Sequence, residues 1–249
     1  MESPPLARFL SSVGKIQHHL HTVVVGLSAV ERGEANKPDD LDITWTARDR
    51  IGSSREARRF LLRATLVFII EELNEFAISV LRYRALEKSE AVPAERAARI
   101  RALAFSQEIE PDYLVLAPLI LIHWRNRIVH RSSTARLASS ERDLLLSHKD
   151  AVRDAFKAID VTRLLQDFEE DRPSLKDVTV LLAMSIKFAR AVDSKLPRPA
   201  NTEAVRQWLE SEGLLDKILA LEKESKNGGD LDPRSKRQAI PDYKGGRFG

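Results

Sequence analysis

The sequence predicts an all-α fold, a bundle of about seven helices, from composition and from apolar periodicity. Helix-forming Ala, Leu, Arg, Glu and Lys dominate, whereas Gly and Pro number only 10 and 11 among 249 residues. Hydrophobic residues make up 43% of the chain, which is enough for a buried core. In several long segments these residues recur at the spacing of one helix face.

Two long helices are predicted in the first third of the chain. Apolar residues recur at helical spacing through residues 5–31, and this pattern stops in residues 32–53, which are predicted to form an ordered loop. Ser54 can cap a second helix that extends to about Leu86. Apolar side chains surround this helix at residues 67–70, so we expect it to be central and buried.

Two shorter helices follow. Pro93 suits the first turn of a helix that ends near Phe105. Pro111 opens the next helix, and Pro118 is expected to bend or restart it because proline lacks a backbone donor. This helix carries the polar sequence WRNRIVHR at residues 124–131.

The remaining chain is predicted to contain further helices and a polar tail. Helical periodicity continues in four segments: residues 139–159, 161–168, 175–196 and 202–226. From Asn227 the chain is polar and rich in glycine and charge, which predicts disorder. The predicted organisation is a helical domain, additional helices packed on it and a disordered tail: residues 1–160, 161–226 and 227–249.

Composition excludes several classes of site. The chain has no cysteine, which excludes disulfides, thiolate zinc sites and cysteine nucleophiles. A net charge of +3 permits a polyanionic partner without requiring one. The absence of a signal-peptide pattern and of a long apolar run predicts a cytoplasmic protein without membrane contact. His18 and His21 lie one helical turn apart but are too few to bind zinc, so neither metal nor cofactor is predicted.

A cluster of polar side chains ends the helix opened by Pro111, directly after an apolar run at residues 119–122. At 100° per residue, Asn126 and His130 share one face, and Arg125 lies about 140° from His130, so the pair can flank one cleft. Guanidinium binds phosphate, imidazole transfers protons near neutral pH, and the amide can orient the imidazole or bind a ribose hydroxyl. These groups suit metal-independent cleavage of a phosphodiester.

The segment Arg125-Asn126-Arg127-Ile128-Val129-His130 resembles the Arg-x4–6-His signature of the HEPN superfamily, in the form Arg-Asn-x-x-x-His. The resemblance covers roughly residues 55–135. It implies an all-α, metal-independent endoribonuclease of a bacterial toxin–antitoxin or antiphage defence system, acting on RNA at a composite site of a homodimer. It further implies Arg125 and His130 as the catalytic pair, Asn126 as their polar third member, and a cognate antitoxin or sensor protein as partner.

Three other residues complete the predicted site. The second helix looks like the family's long apolar helix that bears an acidic residue. Glu72 lies at the edge of its apolar stripe and is expected to reach the Arg–His cleft, whereas Glu71 is expected to point to the opposite side. Arg127 and Arg131 extend the positive patch and are expected to contact phosphates of the substrate.

Two alternatives remain open from the sequence. The first is a catalytically silent HEPN-like module that binds RNA or a nucleotide in the same cationic cleft. The second is a helical interaction protein in which the Arg–His cluster only places positive charge at a helix C-terminus, where it offsets the helix dipole. In either case Glu72 is a surface carboxylate or a structural ion-pair partner.

Overall fold

A computed structural model of the chain describes residues 2–45, 49–88, 92–130, 132–156 and 159–196, with four single positions further on. These residues form helices and connecting loops and contain no strand, so the predicted all-α class is confirmed. Residues 1–196 form one compact unit and residues 197–249 a second. The helix predicted at residues 202–226 and the tail from Asn227 lie largely or wholly outside the described residues.

Eight α-helices and one 3₁₀ turn are found in the described part of the chain. Their bounds are α1 Pro4–Arg32, α2 Arg50–Lys88, α3 Arg96–Gln107, the 3₁₀ turn Asp112–Val115, α4 Leu116–Val129, α5 Ser139–Ser147, α6 Lys149–Ala155, α7 Val161–Glu169 and α8 Leu175–Ser194. The helices α7 and α8 belong to the same compact unit as α1 to α6.

Local signals explain where two of these helices begin or end. The Ser3 hydroxyl accepts a hydrogen bond from the Leu6 N–H and caps α1, and Gly33 ends α1 in a left-handed conformation with φ 77°. The chain enters α4 through the 3₁₀ turn, so that Pro118 lies in the first turn of α4. A backbone N–H is not needed there, and the prediction that Pro118 restarts the helix is confirmed.

The segment predicted as one helix over residues 139–159 is two helices. His148, with φ −98° and ψ 12°, separates α5 from α6, and α6 ends before Phe156. Leu145 and Val152 are nevertheless both buried, as their seven-residue spacing would also place them on one face of an unbroken helix. Periodicity alone did not detect this break, which involves neither glycine nor proline.

The helix α2 is the central element of the first unit. It packs against α1 along one flank and against α3 and α4 along the other. Arg96 contacts Glu71 and Arg99 contacts Asn74, so α3 runs in the same direction as α2. The core face of α2 is fully buried as predicted. The expectation that α2 is buried all round is wrong, because Phe60 and Phe68 are exposed.

Two buried carboxyl groups meet between α7 and α8. Asp167 and Asp177 are both almost inaccessible to solvent, and Asp177 accepts the Ser174 N–H at 2.9 Å as the second half of a capping box. Burial, and to a smaller extent the neighbouring Asp167, raise the pKa of Asp177, although its hydrogen bonds to Ser174 act in the opposite direction.

The raised pKa of Asp177 predicts a stability that depends on pH. The unfolded chain releases this proton at a lower pH than the folded chain. The contribution of Asp177 to the free energy of unfolding is therefore complete below the ordinary aspartate pKa, and it is lost as pH rises through the raised pKa of the folded state. Asp177→Asn keeps the acceptor for Ser174 and is expected to remove this fall. Urea unfolding between pH 4 and pH 8 measures this fall in stability. If the free energy of unfolding of the variant falls with pH as steeply as that of wild type, the fall does not come from Asp177.

Candidate functional site

The candidate site lies at the C-terminal end of α4, where the chain leaves the helix. The His130 N–H still donates to the Asn126 carbonyl at 2.9 Å, but His130 itself is extended, with φ −115° and ψ 98°. The His130 carbonyl then accepts from the Ser133 N–H at 2.8 Å, which holds the turn. The direction of the His130 side chain therefore does not follow the helical repeat, and its exposed ring turns towards Arg125.

The Arg125 guanidinium brings the predicted residues together. Its Nη1 lies 3.4 Å from His130 Nε2 and 3.4 Å from Asn126 Oδ1. Its Nη2 lies 3.3 Å from Glu71 Oε1 on α2. The Arg125 side chain is only 13% exposed, so that packing and these contacts fix the direction of its planar fork.

The Glu71 carboxylate joins three helices at this point. Besides Arg125 on α4, it accepts two hydrogen bonds from Arg96 Nη2 on α3, at 2.8 and 3.0 Å. One carboxylate thus serves two guanidinium groups, which leaves one positive charge in excess beside His130. Such an excess favours an anionic ligand such as a phosphodiester.

The structure corrects the expected position of the acidic residue. Glu71, not Glu72, reaches the Arg–His pair. Glu72 lies on the α1 flank of α2, in a shallow depression with Pro5, Phe9 and Phe76. The prediction placed the cleft on the wrong flank of α2, because periodicity defines the faces of one helix but not which neighbour covers each face.

The structure shows Arg127 in contact with α7. Its guanidinium stacks on the Phe168 ring of α7, 4.1 Å from the ring centroid, and Nη2 donates to the Phe168 carbonyl. Burial lowers the pKa of Arg127, because withdrawal from solvent disfavours the charged form of the guanidinium. Arg127 therefore fastens α4 to α7 and does not face the Arg125–His130 pair, and Arg131 lies outside the described residues.

Replacement of Arg127 by alanine is expected to affect stability far more than any reaction at the candidate site. The variant loses the stacking contact and leaves the Phe168 carbonyl without this donor, at a combined cost of roughly 2 kcal/mol. Urea unfolding measures this cost, and RNA cleavage per folded molecule is expected to change by less than about threefold. If Arg127→Ala loses cleavage while its stability is unchanged, Arg127 contacts the substrate as the sequence predicted.

Two residues of the site were not predicted from the sequence. Glu71 was assigned to the wrong side of α2, and Arg96 belongs to no recognisable motif. The excess of arginine in α3 was the only available signal, but Arg96, Arg99 and Arg101 look equivalent in the sequence. In the structure Arg101 pairs instead with Glu141 of α5.

The geometry constrains the chemistry that the site can perform. A guanidinium only donates hydrogen bonds, so His130 Nε2 can accept from Arg125 only when that nitrogen carries a lone pair. That is the form a general base needs. In the described part of the chain, no group of three or more potential metal ligands is found, and no helix combines the length and apolarity needed to cross a membrane.

Comparison with protein-family models, with curated proteins and with solved structures finds no match to this chain. The HEPN resemblance therefore depends on the Arg125–His130 motif, together with an all-α fold that many unrelated families share.

Proposed function

We propose that the protein is a metal-independent endoribonuclease of HEPN type that acts at a composite site of a homodimer. The observation that carries this proposal is the 3.4 Å contact between Arg125 Nη1 and His130 Nε2, at an exposed helix end with excess positive charge. It supplies a proton acceptor and an oriented cation side by side, which are the two groups that transesterification of RNA needs.

In the proposed reaction His130 Nε2 removes the proton of a ribose 2′-hydroxyl. The 2′-oxygen attacks the adjacent phosphorus, and the bond from phosphorus to the 5′-oxygen breaks. The leaving 5′-oxygen takes a proton from the protonated His130 of the second copy. Arg125 stabilises the charge that develops on the non-bridging oxygens, and Asn126 positions the substrate. The products are a 2′,3′-cyclic phosphate and a 5′-hydroxyl.

Such an activity requires control in a cell, because uncontrolled RNA cleavage is toxic. We therefore propose a toxin or an effector of bacterial toxin–antitoxin or antiphage defence as the biological setting, with a cognate antitoxin or sensor protein as its partner. The open position of His130 at the surface is accessible to such a protein as well as to RNA.

A second candidate is a module that binds RNA or a nucleotide without cleaving it. It is favoured by one observation: the Arg125 side chain is mostly buried, and its Nη2 is already engaged by Glu71. In this candidate the guanidinium holds the helices together, and the excess charge attracts an anionic ligand.

Cleavage of labelled RNA in EDTA separates these candidates. The endoribonuclease is expected to cut an RNA oligonucleotide and to leave the same sequence intact when every 2′-hydroxyl is methylated. The cut RNA is expected to carry a 2′,3′-cyclic phosphate. Binding of both oligonucleotides with cleavage of neither supports the binding module, and cleavage of the methylated oligonucleotide contradicts the proposed attack by the 2′-oxygen.

A further inference from the structure

The outward face of α2 presents an apolar stripe to solvent. Phe60 and Phe68 are 75% and 61% exposed, and Ala64 and Val67 between them are half-buried. These four side chains lie within an arc of about 100° on the helix. Val129, 45% exposed, ends the neighbouring helix α4 directly before His130. Exposed large apolar side chains grouped in this way are typical of a protein interface.

The charges of α2 are arranged symmetrically about this stripe. Residues 50–63 contain five arginines and one glutamate, whereas residues 64–75 contain three glutamates and no cation. Arg63 and Glu71 lie four residues to either side of Val67, and Arg59 and Glu75 lie eight residues to either side. An identical helix that runs antiparallel and crosses at Val67 therefore brings Arg63 opposite Glu71 and Arg59 opposite Glu75.

We propose that this stripe, defined by Phe60, Ala64, Val67 and Phe68, binds a second copy of the chain, with the two α2 helices antiparallel across a two-fold axis near Val67. The proposal deepens the proposed function, on which it rests, because it names the surface that forms the composite site. The apolar side chains exclude water at the centre of the interface, and the charges select the antiparallel orientation.

The direction of α4 determines where such a dimer places the two motifs. Arg125 contacts Glu71, whereas Ile122, one turn earlier on α4, lines a small cavity with Ile70, Leu73, Asn74 and Ala77, which are centred further along α2, so α4 runs antiparallel to α2. Five residues of helix advance about 7 Å, which brings His130 close to the level of Val67. Because a two-fold axis perpendicular to α2 keeps both copies of α4 on the same side, the two His130 rings approach each other near that axis.

The mass of the full chain in solution, measured by light scattering without RNA, tests the interface. Wild type is expected to show about twice the chain mass of 28.1 kDa, and Phe60→Glu/Phe68→Glu to show the mass of one chain. Phe105→Glu is the matched control, because Phe105 on α3 is 89% exposed and lies outside the stripe. Circular dichroism checks that each variant is folded. A monomeric wild type, or a dimer that survives the double substitution, overturns the proposal.

Two further variants test the orientation. Glu75→Arg places cations opposite the arginine-rich half of the second copy and is expected to weaken the dimer about tenfold, and Arg59→Glu/Glu75→Arg is expected to restore it. Because the chain has no cysteine, Val67→Cys offers a single thiol, which is expected to form a disulfide-linked dimer on oxidation, whereas Phe105→Cys is not. Cross-linking through residue 105 alone contradicts the antiparallel pairing.

The outcome for this interface is distinguishable from the outcome for the proposed function. A dimer that follows these expectations but leaves RNA intact supports the interface and contradicts the nuclease. RNA cleavage by a monomer, abolished by loss of His130, overturns the interface and the role of the second copy's His130, but leaves His130 as the proposed general base.

Discussion

Replacement of His130 by alanine is expected to reduce RNA cleavage about a thousandfold, the scale of losing a general acid or base. His130 supplies the only imidazole that contacts Arg125 in the described part of the chain, and in the proposed reaction its Nε2 takes up the proton. The side chain is exposed and its backbone bonds do not depend on the ring, so the variant is expected to fold normally. Initial rates on labelled RNA in EDTA measure the loss, and added imidazole is expected to restore part of it.

Two matched variants control this experiment. His148→Ala removes another solvent-accessible histidine, which lies between α5 and α6 and contacts Asp112 at 3.3 Å, and is expected to cleave RNA at the wild-type rate. Arg125→Ala is expected to abolish cleavage, whereas Arg153→Ala, which removes an arginine from the last turn of α6, is not. If Arg125→Ala lowers stability and leaves cleavage unchanged, the arginine only offsets the dipole of α4.

The helices could be predicted from the sequence to the extent that their signals are local. Proline and serine mark the start of α1, glycine marks its end, and Pro118 marks the first turn of α4. The break at His148 has no such residue, so no local signal in the sequence marks it. The same limit applies to α2, whose apolar outward face was taken for a second buried face although Phe60 and Phe68 are exposed.

The contact between Arg125 and His130 could be predicted because the two residues lie close together in one segment, so that their separation depends little on the fold. The helical arithmetic nevertheless placed them about 140° apart, and they meet because His130 has left the helix. Glu71, Arg96 and the position of Arg127 depend instead on how α2, α3, α4 and α7 cross. Crossing geometry follows from packing over the whole core, which no single segment encodes.

Replacement of Glu71 by glutamine is expected to reduce cleavage roughly a hundredfold, because a catalytic group displaced by about 1 Å loses rate on that scale. Glutamine keeps an acceptor oxygen but not the charge that holds both Arg125 and Arg96. The Arg125 fork is then free to turn away from His130 and Asn126. The loss is expected in kcat more than in KM, since in the proposed reaction Glu71 positions Arg125, which acts in the transition state, and does not itself bind RNA.

The neighbouring glutamate provides the matched control. Glu72→Gln changes the same charge one residue away, on the α1 flank of α2, and is expected to leave kcat unchanged within about twofold. Glu71→Asp retains the charge on a shorter side chain and is expected to recover part of the activity. If Glu72→Gln lowers kcat and Glu71→Gln does not, the acid serves the reaction from the opposite flank, and the Arg125–Glu71 ion pair is only a structural link between α2 and α4.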